Sequence, residues 1–324
     1  MILDVLYSCN ELYIEQAAIS LLSLCKQNYL DFEEIRIHFV EDHISPQAKA
    51  ALLQTVQPFH AKLFFYLLEE WIETELSFSS DSHHPISIYS KIFCGRLPVE
   101  HRLLYIDCDC IITDSLKELW TLDMKDNMIA GVLMPYSTTY KSQYHLQDCN
   151  SYICDGVVLF NLPLWRKYHC EEKCLSYIQS FHGMPPMMSE GTLNYICRDH
   201  ILALPPKYNM MGHLFLLSTD KIKVFYQAPY YNEEERQDAL VAPVIIHYIR
   251  EFYERPWFFN SDHPRHSIYQ QYKKDSLWSE NSPKKGKLPL KHKITQKFLS
   301  ISPKFLLGIL GHLREWKYKR KESL

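Results

Sequence analysis

Apolar, β-favouring runs alternate with stretches of helical periodicity through the first half of the chain. Leu3-Asp-Val-Leu-Tyr-Ser is followed by Ala17, Ile19, Leu21, Leu22 and Leu24 at helical density, which predicts strand, loop and helix. Ile35-Arg-Ile-His-Phe-Val predicts a second strand, and Pro46 through Val56, with Ala48, Ala51, Leu52 and Leu53, a second helix. Further strands are expected at Leu63 to Tyr66, Leu103 to Ile106, Met128 to Leu133 and Val157 to Phe160. Strands alternating with helices imply an α/β fold with a mostly parallel sheet covered on both faces.

The pattern changes near Ser279 to Pro283. Beyond Pro303, Phe305, Leu306, Ile309, Leu310, Leu313 and Trp316 recur at three and four, with Lys304, Arg314, Lys317, Lys319, Arg320 and Lys321 nearby. This is the pattern of an interfacial helix. Charge divides at the same place: Lys284 to Leu324 carries twelve Lys or Arg against two Glu, so with a net charge of −3 overall the preceding residues carry −13. An acidic body argues against nucleic acid as a partner, whereas the basic tail suits an anionic membrane surface, a docked helix or an oligomer contact. The expected division is a catalytic domain over residues 1–278 and a basic amphipathic tail over 279–324.

Composition adds exclusions. At 47% apolar and 23% charged the chain is outside the disordered class. Ten scattered cysteines in a chain this long read as reduced thiols rather than a disulfide scaffold. The start has no basic segment leading into an apolar run, and no stretch of about 18 apolar residues occurs, so a cytoplasmic protein attached peripherally at most is expected. With nine glycines and neither GxGxxG nor GxxxxGK[ST], both glycine-rich phosphate loops are excluded as signals. His83-His84 reads as surface, and Cys170 with Cys174 as inert.

The sharpest feature is Arg102-Leu-Leu-Tyr-Ile-Asp-Cys-Asp, an apolar strand running into Asp107 and Asp109. In an extended chain residues two apart face one side, so both carboxylates would reach one point, with Cys108 and Cys110 facing away. Ligands in open α/β sheets sit at the carboxyl ends of strands, where this pair lies. Two carboxylates so placed need a proton or cation between them, and hard oxygen ligands suit Mg2+ or Mn2+. Phosphatases with an aspartyl nucleophile also end a strand in Asp-x-Asp, usually near the start of their domain and followed by other residues than Cys110-Ile111.

Five segments, in order, resemble the retaining glycosyltransferases of family eight, which include bacterial lipopolysaccharide galactosyl- and glucosyltransferases and are similar to glycogenin. Besides the acidic pair these are Leu6-Tyr-Ser-Cys-Asn-Glu-Leu-Tyr-Ile, Tyr89-Ser-Lys-Ile-Phe, Cys154-Asp-Gly-Val-Val-Leu-Phe-Asn-Leu with Trp165, Ser189-Glu-Gly-Thr-Leu-Asn, and His247-Tyr-Ile-Arg-Glu-Phe-Tyr-Glu-Arg-Pro-Trp. The resemblance implies a GT-A nucleotide-diphospho-sugar transferase fold and a UDP-sugar donor. It implies donor contacts at Ser8, Asn10, Tyr13, Lys91, Asp107, Cys108, Asp109, Arg250 and Arg255, and a metal, Mn2+ or Mg2+, on Asp107, Asp109 and His247. Glu190 and Asp155 are the implied catalytic carboxylates, and the implied acceptor is a glycan or glycolipid. Lys91, Cys154 and Arg250 stand where the family has Arg, Asn or Asp, and Gly. A nucleotide-sugar-binding protein that has lost catalysis is the alternative those departures raise.

Overall fold

A computed structural model describes residues 1–72, 86–143, 145–146, 151–286 and 288–322. The His83-His84 pair lies outside them. Nine strands are described: β1 (Ile2–Asn10), β2 (Glu34–Asp42), β3 (Lys62–Leu67), β4 (Arg102–Ile106), β5 (Cys110–Ile112), β6 (Ile129–Leu133), β7 (Ile153–Asn161), β8 (Ile201–Leu204) and β9 (Ile245–His247). Seven form one sheet in the order β3-β2-β1-β4-β7-β6-β8, and β5 pairs with β9 beside it. Within the seven-stranded sheet neighbours are parallel except at β7, which runs against β4 and β6; β5 and β9 are antiparallel. The sheet is thus mostly parallel, as the alternation of strands and helices implies.

Burial on both faces explains why the apolar runs were legible: Leu3, Val5, Leu6 and Tyr7 of β1 are all fully buried, as are Leu103, Leu104 and Ile106 of β4. The helix Ile14–Asn28 closes one face, with twelve of its fifteen residues buried. The helix Pro46–Val56 begins as its sequence requires, Ser45 Oγ accepting from Ala48 N (3.1 Å) and Pro46 taking the first helical position.

The reversal of β7 matters for chemistry. Because it runs antiparallel to β4, its first residues, not its last, reach the edge where β1 and β4 end. Asp155 thereby lines one cleft with Ser8 and Asp107. In the second half of the chain the helices Leu290–Ile301 and Lys304–Glu322 pack on the body, the second against the helices Thr219–Tyr226 and Thr138–Ser142. No helix among the described residues is long and apolar enough to cross a membrane. The nine described cysteines are buried and free.

Candidate active site

β1 and β4 end together at the floor of a cleft of about 400 Å³. Ser8, Asn10 and Tyr13 form one side, Asp107, Cys108 and Asp109 the floor, and Asp155, Met187, Met188, Ser189 and Glu190 the other side, with Lys91 and Arg255 between.

The acidic pair converges, though not by strand alternation. β4 ends at Ile106 and residues 107–109 make a turn closed by Cys110 N donating to Asp107 O (3.1 Å). The turn aims both carboxylates at His247: Nε2 is 3.0 Å from Asp109 Oδ1 and 3.7 Å from Asp107 Oδ2. Pairing of β5 with β9 sets Cys110 opposite His247 and so fixes that approach. Asp107 N donates to Gly156 O (2.8 Å), and a Cβ on Gly156 would stand 2.2 Å from His247 Cε1 and 2.8 Å from Asp107 Oδ2, so only glycine leaves room.

The donor set fits a divalent cation. His247 Nδ1 lies 3.0 Å from Asn209 Oδ1. With Nδ1–H donating there, the Nε2 lone pair faces carboxylate oxygen, an arrangement that repels until a proton or cation lies between. One oxygen of Asp107 is occupied by the Tyr105 hydroxyl (2.6 Å), leaving Oδ2 for the shared point. Electrostatics split the pair: burial raises the Asp107 pKa against the pull of Lys91 and His247. Burial opposes ionisation of Asp109 too, but His247 and Arg255 outweigh it and hold its pKa at about 2. Cys110 Sγ also approaches Asp109 and His247, within 4.8 Å. Burial pushes its thiol pKa well up, and a hard cation prefers oxygen, so Asp107 is the better third ligand.

Lys91 is almost fully buried, its Nζ donating to Asp155 Oδ2 (2.8 Å) and Asp155 O (3.0 Å), 3.9 Å from Asp107 Oδ1 and over the Tyr105 ring. Burial disfavours its charge, yet Asp155 and Asp107 raise its pKa overall. Ser189 Oγ also donates to Asp155 Oδ2 (2.6 Å). Burial, then the Asp155 charge, raise the Glu190 pKa to about 8, outweighing the Tyr152 hydroxyl, Lys91 and the Asp155 backbone, which pull it down. Arg255 reaches the Tyr13 hydroxyl (2.9 Å) and Asp109 Oδ2 (3.4 Å). Asn10 caps the turn Glu11–Tyr13, accepting from Leu12 N.

Arg250 is not brought to the cleft. It is exposed and pairs with Glu254 Oε2 (2.8 Å). Cys154 is buried in the core, while its neighbour Asp155 faces the cleft. Cys108 lines the floor and donates its thiol to Ser8 O (3.4 Å). Sequence reasoning missed Asn209, which no local motif marks. Gly156 was part of a recognised segment, but its steric role needed the neighbouring His247.

Residues 4–261 match the model of glycosyl transferase family 8. A lipopolysaccharide 1,2-glucosyltransferase of Escherichia coli is 26% identical over 321 residues, covering 96% of this chain and 89% of the relative. General stress protein A of Bacillus subtilis is 23% identical over 256 residues, covering 76% and 84%. The crystal structure of the galactosyltransferase LgtC, solved with donor and acceptor sugar analogues, superposes with a TM-score of 0.66 at 17% identity, covering 85% of this chain and 96% of that one. The family match runs through every segment that supplies a cleft residue, from Ser8 to Arg255, and on that evidence the chain belongs to glycosyl transferase family 8 and is a hexosyltransferase.

Proposed function

We propose that the enzyme moves a hexose, glucose or galactose, from a UDP-sugar to a glycan or lipid-linked acceptor of a surface polysaccharide or lipopolysaccharide, with retention at the anomeric carbon and dependence on Mn2+ or Mg2+. The observation that carries this reading is the convergence of Asp107, Asp109 and His247 with Arg255 at the floor of one cleft. A cation bound there would act as a Lewis acid on the diphosphate leaving group. Tyr13 offers a ring to the uracil at the cleft mouth, and Arg255, held by Tyr13 and Asp109, opposes the charge that develops on the phosphate.

Lys91 plays a different part from the one its position implies. Its ammonium is spent on Asp155 and Asp107, so it holds those carboxylates in place rather than reaching the donor. Asp155 and Glu190 face the sugar side. A pKa of about 8 keeps Glu190 protonated at neutral pH while no donor is bound, and a cationic sugar would favour its ionisation. It then serves as nucleophile or as electrostatic support; if Glu190→Gln keeps most of the turnover with intact donor binding, the nucleophile role is lost.

Attachment to the cytoplasmic face of an anionic membrane is part of the proposal. Its support is a line of exposed apolar side chains along both C-terminal helices: Leu290, Ile294, Phe298, Ile301, Phe305, Ile309, Leu313 and Trp316. Lysines 291, 293, 297, 304, 317 and 319 lie on the same helices, each contributing about 1 kcal/mol beside an anionic leaflet. Co-sedimentation should succeed with phosphatidylglycerol vesicles and fail with phosphatidylcholine ones.

The decisive test is calorimetric binding of UDP and UDP-hexoses with Mn2+, with chelator, and with Asp109→Ala. Binding that requires both metal and Asp109 supports the reading. Absence of binding under every condition overturns it, and binding without any turnover would leave a nucleotide-sugar-binding protein.

A further inference from the structure

We infer that the C-terminal helix Lys304–Glu322 is a working part of the active site, in which Glu315 and Tyr318 are positioning residues that hold the sugar-side wall of the cleft. Which side of the cleft takes the sugar rests on the proposed function above; the mechanical link does not.

The helix has two unlike faces. One carries the exposed apolar line. The other approaches the helix Thr219–Tyr226 so closely that a Cβ on Gly311 would stand 2.3 Å from Val224 O, and it buries Leu307 completely. Arg314 lies over the rings of Phe225 and Tyr226, 4.8 Å from each centroid. The helix is therefore fixed on the body in a single setting, not attached as a loose appendage.

From that anchored face two contacts reach the cleft wall. Ser137 Oγ donates to Glu315 Oε1 (2.6 Å) while accepting from Tyr140 N (3.0 Å), so the residue that caps the helix Thr138–Ser142 is itself held by the C-terminal helix. Tyr318 packs on Tyr140, with ring centroids 5.2 Å apart. Tyr140 then contacts the cleft: its hydroxyl lies 3.6 Å from the Met187 sulfur, and its ring packs on Tyr136, which packs on Tyr152 beside Glu190.

The wall needs such support. Met187 and Met188 both have positive φ, 57° and 52°, conformations that side-chain-bearing residues adopt only when surrounding contacts hold them. They precede Ser189 and Glu190 and line the cleft with them. Tyr89, whose hydroxyl donates to Gly183 O (3.1 Å) and contacts the Met188 sulfur (3.6 Å), holds the strained segment from below. Tyr140 holds it from the side that the C-terminal helix controls.

The experiment uses the full chain with Glu315→Ala/Tyr318→Ala, the conservative pair Glu315→Gln and Tyr318→Phe, and His312→Ala on the exposed face of the same helix. Three readouts are taken: hydrogen exchange at residues 137–142 and 187–190 without ligand, UDP binding with Mn2+, and hydrolysis of UDP-glucose and UDP-galactose by water. The double variant should exchange at least tenfold faster in both segments and hydrolyse donor at least fivefold more slowly, with UDP binding within twofold of the parent. The conservative variants and His312→Ala should match the parent. Unchanged exchange at 187–190 in the double variant overturns the inference whatever the enzyme's substrate. If the double variant does not fold, parent-like exchange in both Tyr318→Leu and Glu315→Ala singly overturns it. Failure of the parent to bind UDP would instead count against the proposed function and leave the exchange result standing.

Discussion

Gly156→Ala is the most informative single change. Gly156 lies in extended β7 without a positive φ, so its backbone suits alanine, and reduced freedom of the unfolded chain would by itself stabilise by about 0.4–1 kcal/mol. The space beyond it does not suit alanine. The added carbon would stand 2.2 Å from His247 Cε1 and 2.8 Å from Asp107 Oδ2, against roughly 3.5–4.0 Å for unstrained carbon contacts. The imidazole must retreat by more than an ångström. His247 is hemmed in by Asn209 and the β5 pairing, so the movement displaces the ring from Asp109. Overpacking of this kind costs about 1–3 kcal/mol, or roughly 2–10 °C in Tm for a domain of this size. Loss of ligand geometry should weaken metal affinity about 10- to 100-fold. Mn2+-dependent UDP binding, measured by calorimetry beside a thermal melt, checks both. A variant that binds UDP and Mn2+ within twofold of the parent would refute the reasoning, because it would mean that His247 is free to move or is not a ligand.

Lys91→Met leaves Asp155 and Asp107 facing each other without their cation, and denaturant unfolding should show a loss of about 3 kcal/mol, moderated because Asp107 opens onto the cleft. Glu190 bears on pH in two ways. A carboxyl raised from 4.5 to about 8 stabilises the fold only while protonated, so its contribution is complete below 4.5 and is lost as pH rises towards 8. Between pH 5 and 8, without donor, the Tm of the parent should therefore fall relative to Glu190→Gln, and parallel melts check this. If ionised Glu190 acts on the sugar, turnover should rise through pH 8 in the parent and lack that rise in the Gln variant. Asn209→Ala removes the acceptor that orients His247 and should weaken Mn2+ binding about 10- to 100-fold, read by metal titration.

The sequence by itself determined six strands of the main sheet and the first two helices, because strands buried on both faces need continuous apolar runs and the helix at Pro46 needs its Ser45 cap; the short strands β5, β8 and β9 carry too few residues to show as such runs. It also revealed the family, through five ordered segments that fall within the family match, and that the tail is amphipathic and basic. Three matters were decided only by tertiary structure. Nothing in Ile153–Asn161 encodes its direction in the sheet; its antiparallel placement, set by its neighbours, brings Asp155 to the cleft. Asp107 and Asp109 were expected to converge through an extended chain, whereas a turn and the distant pairing of β5 with β9 bring them to His247. Periodicity gave the tail two faces but not their partners. A local pattern records which side chains share a side, while the surface each side meets depends on residues such as Ser137, Tyr140 and Val224 that lie far away in sequence and near only once the chain has folded.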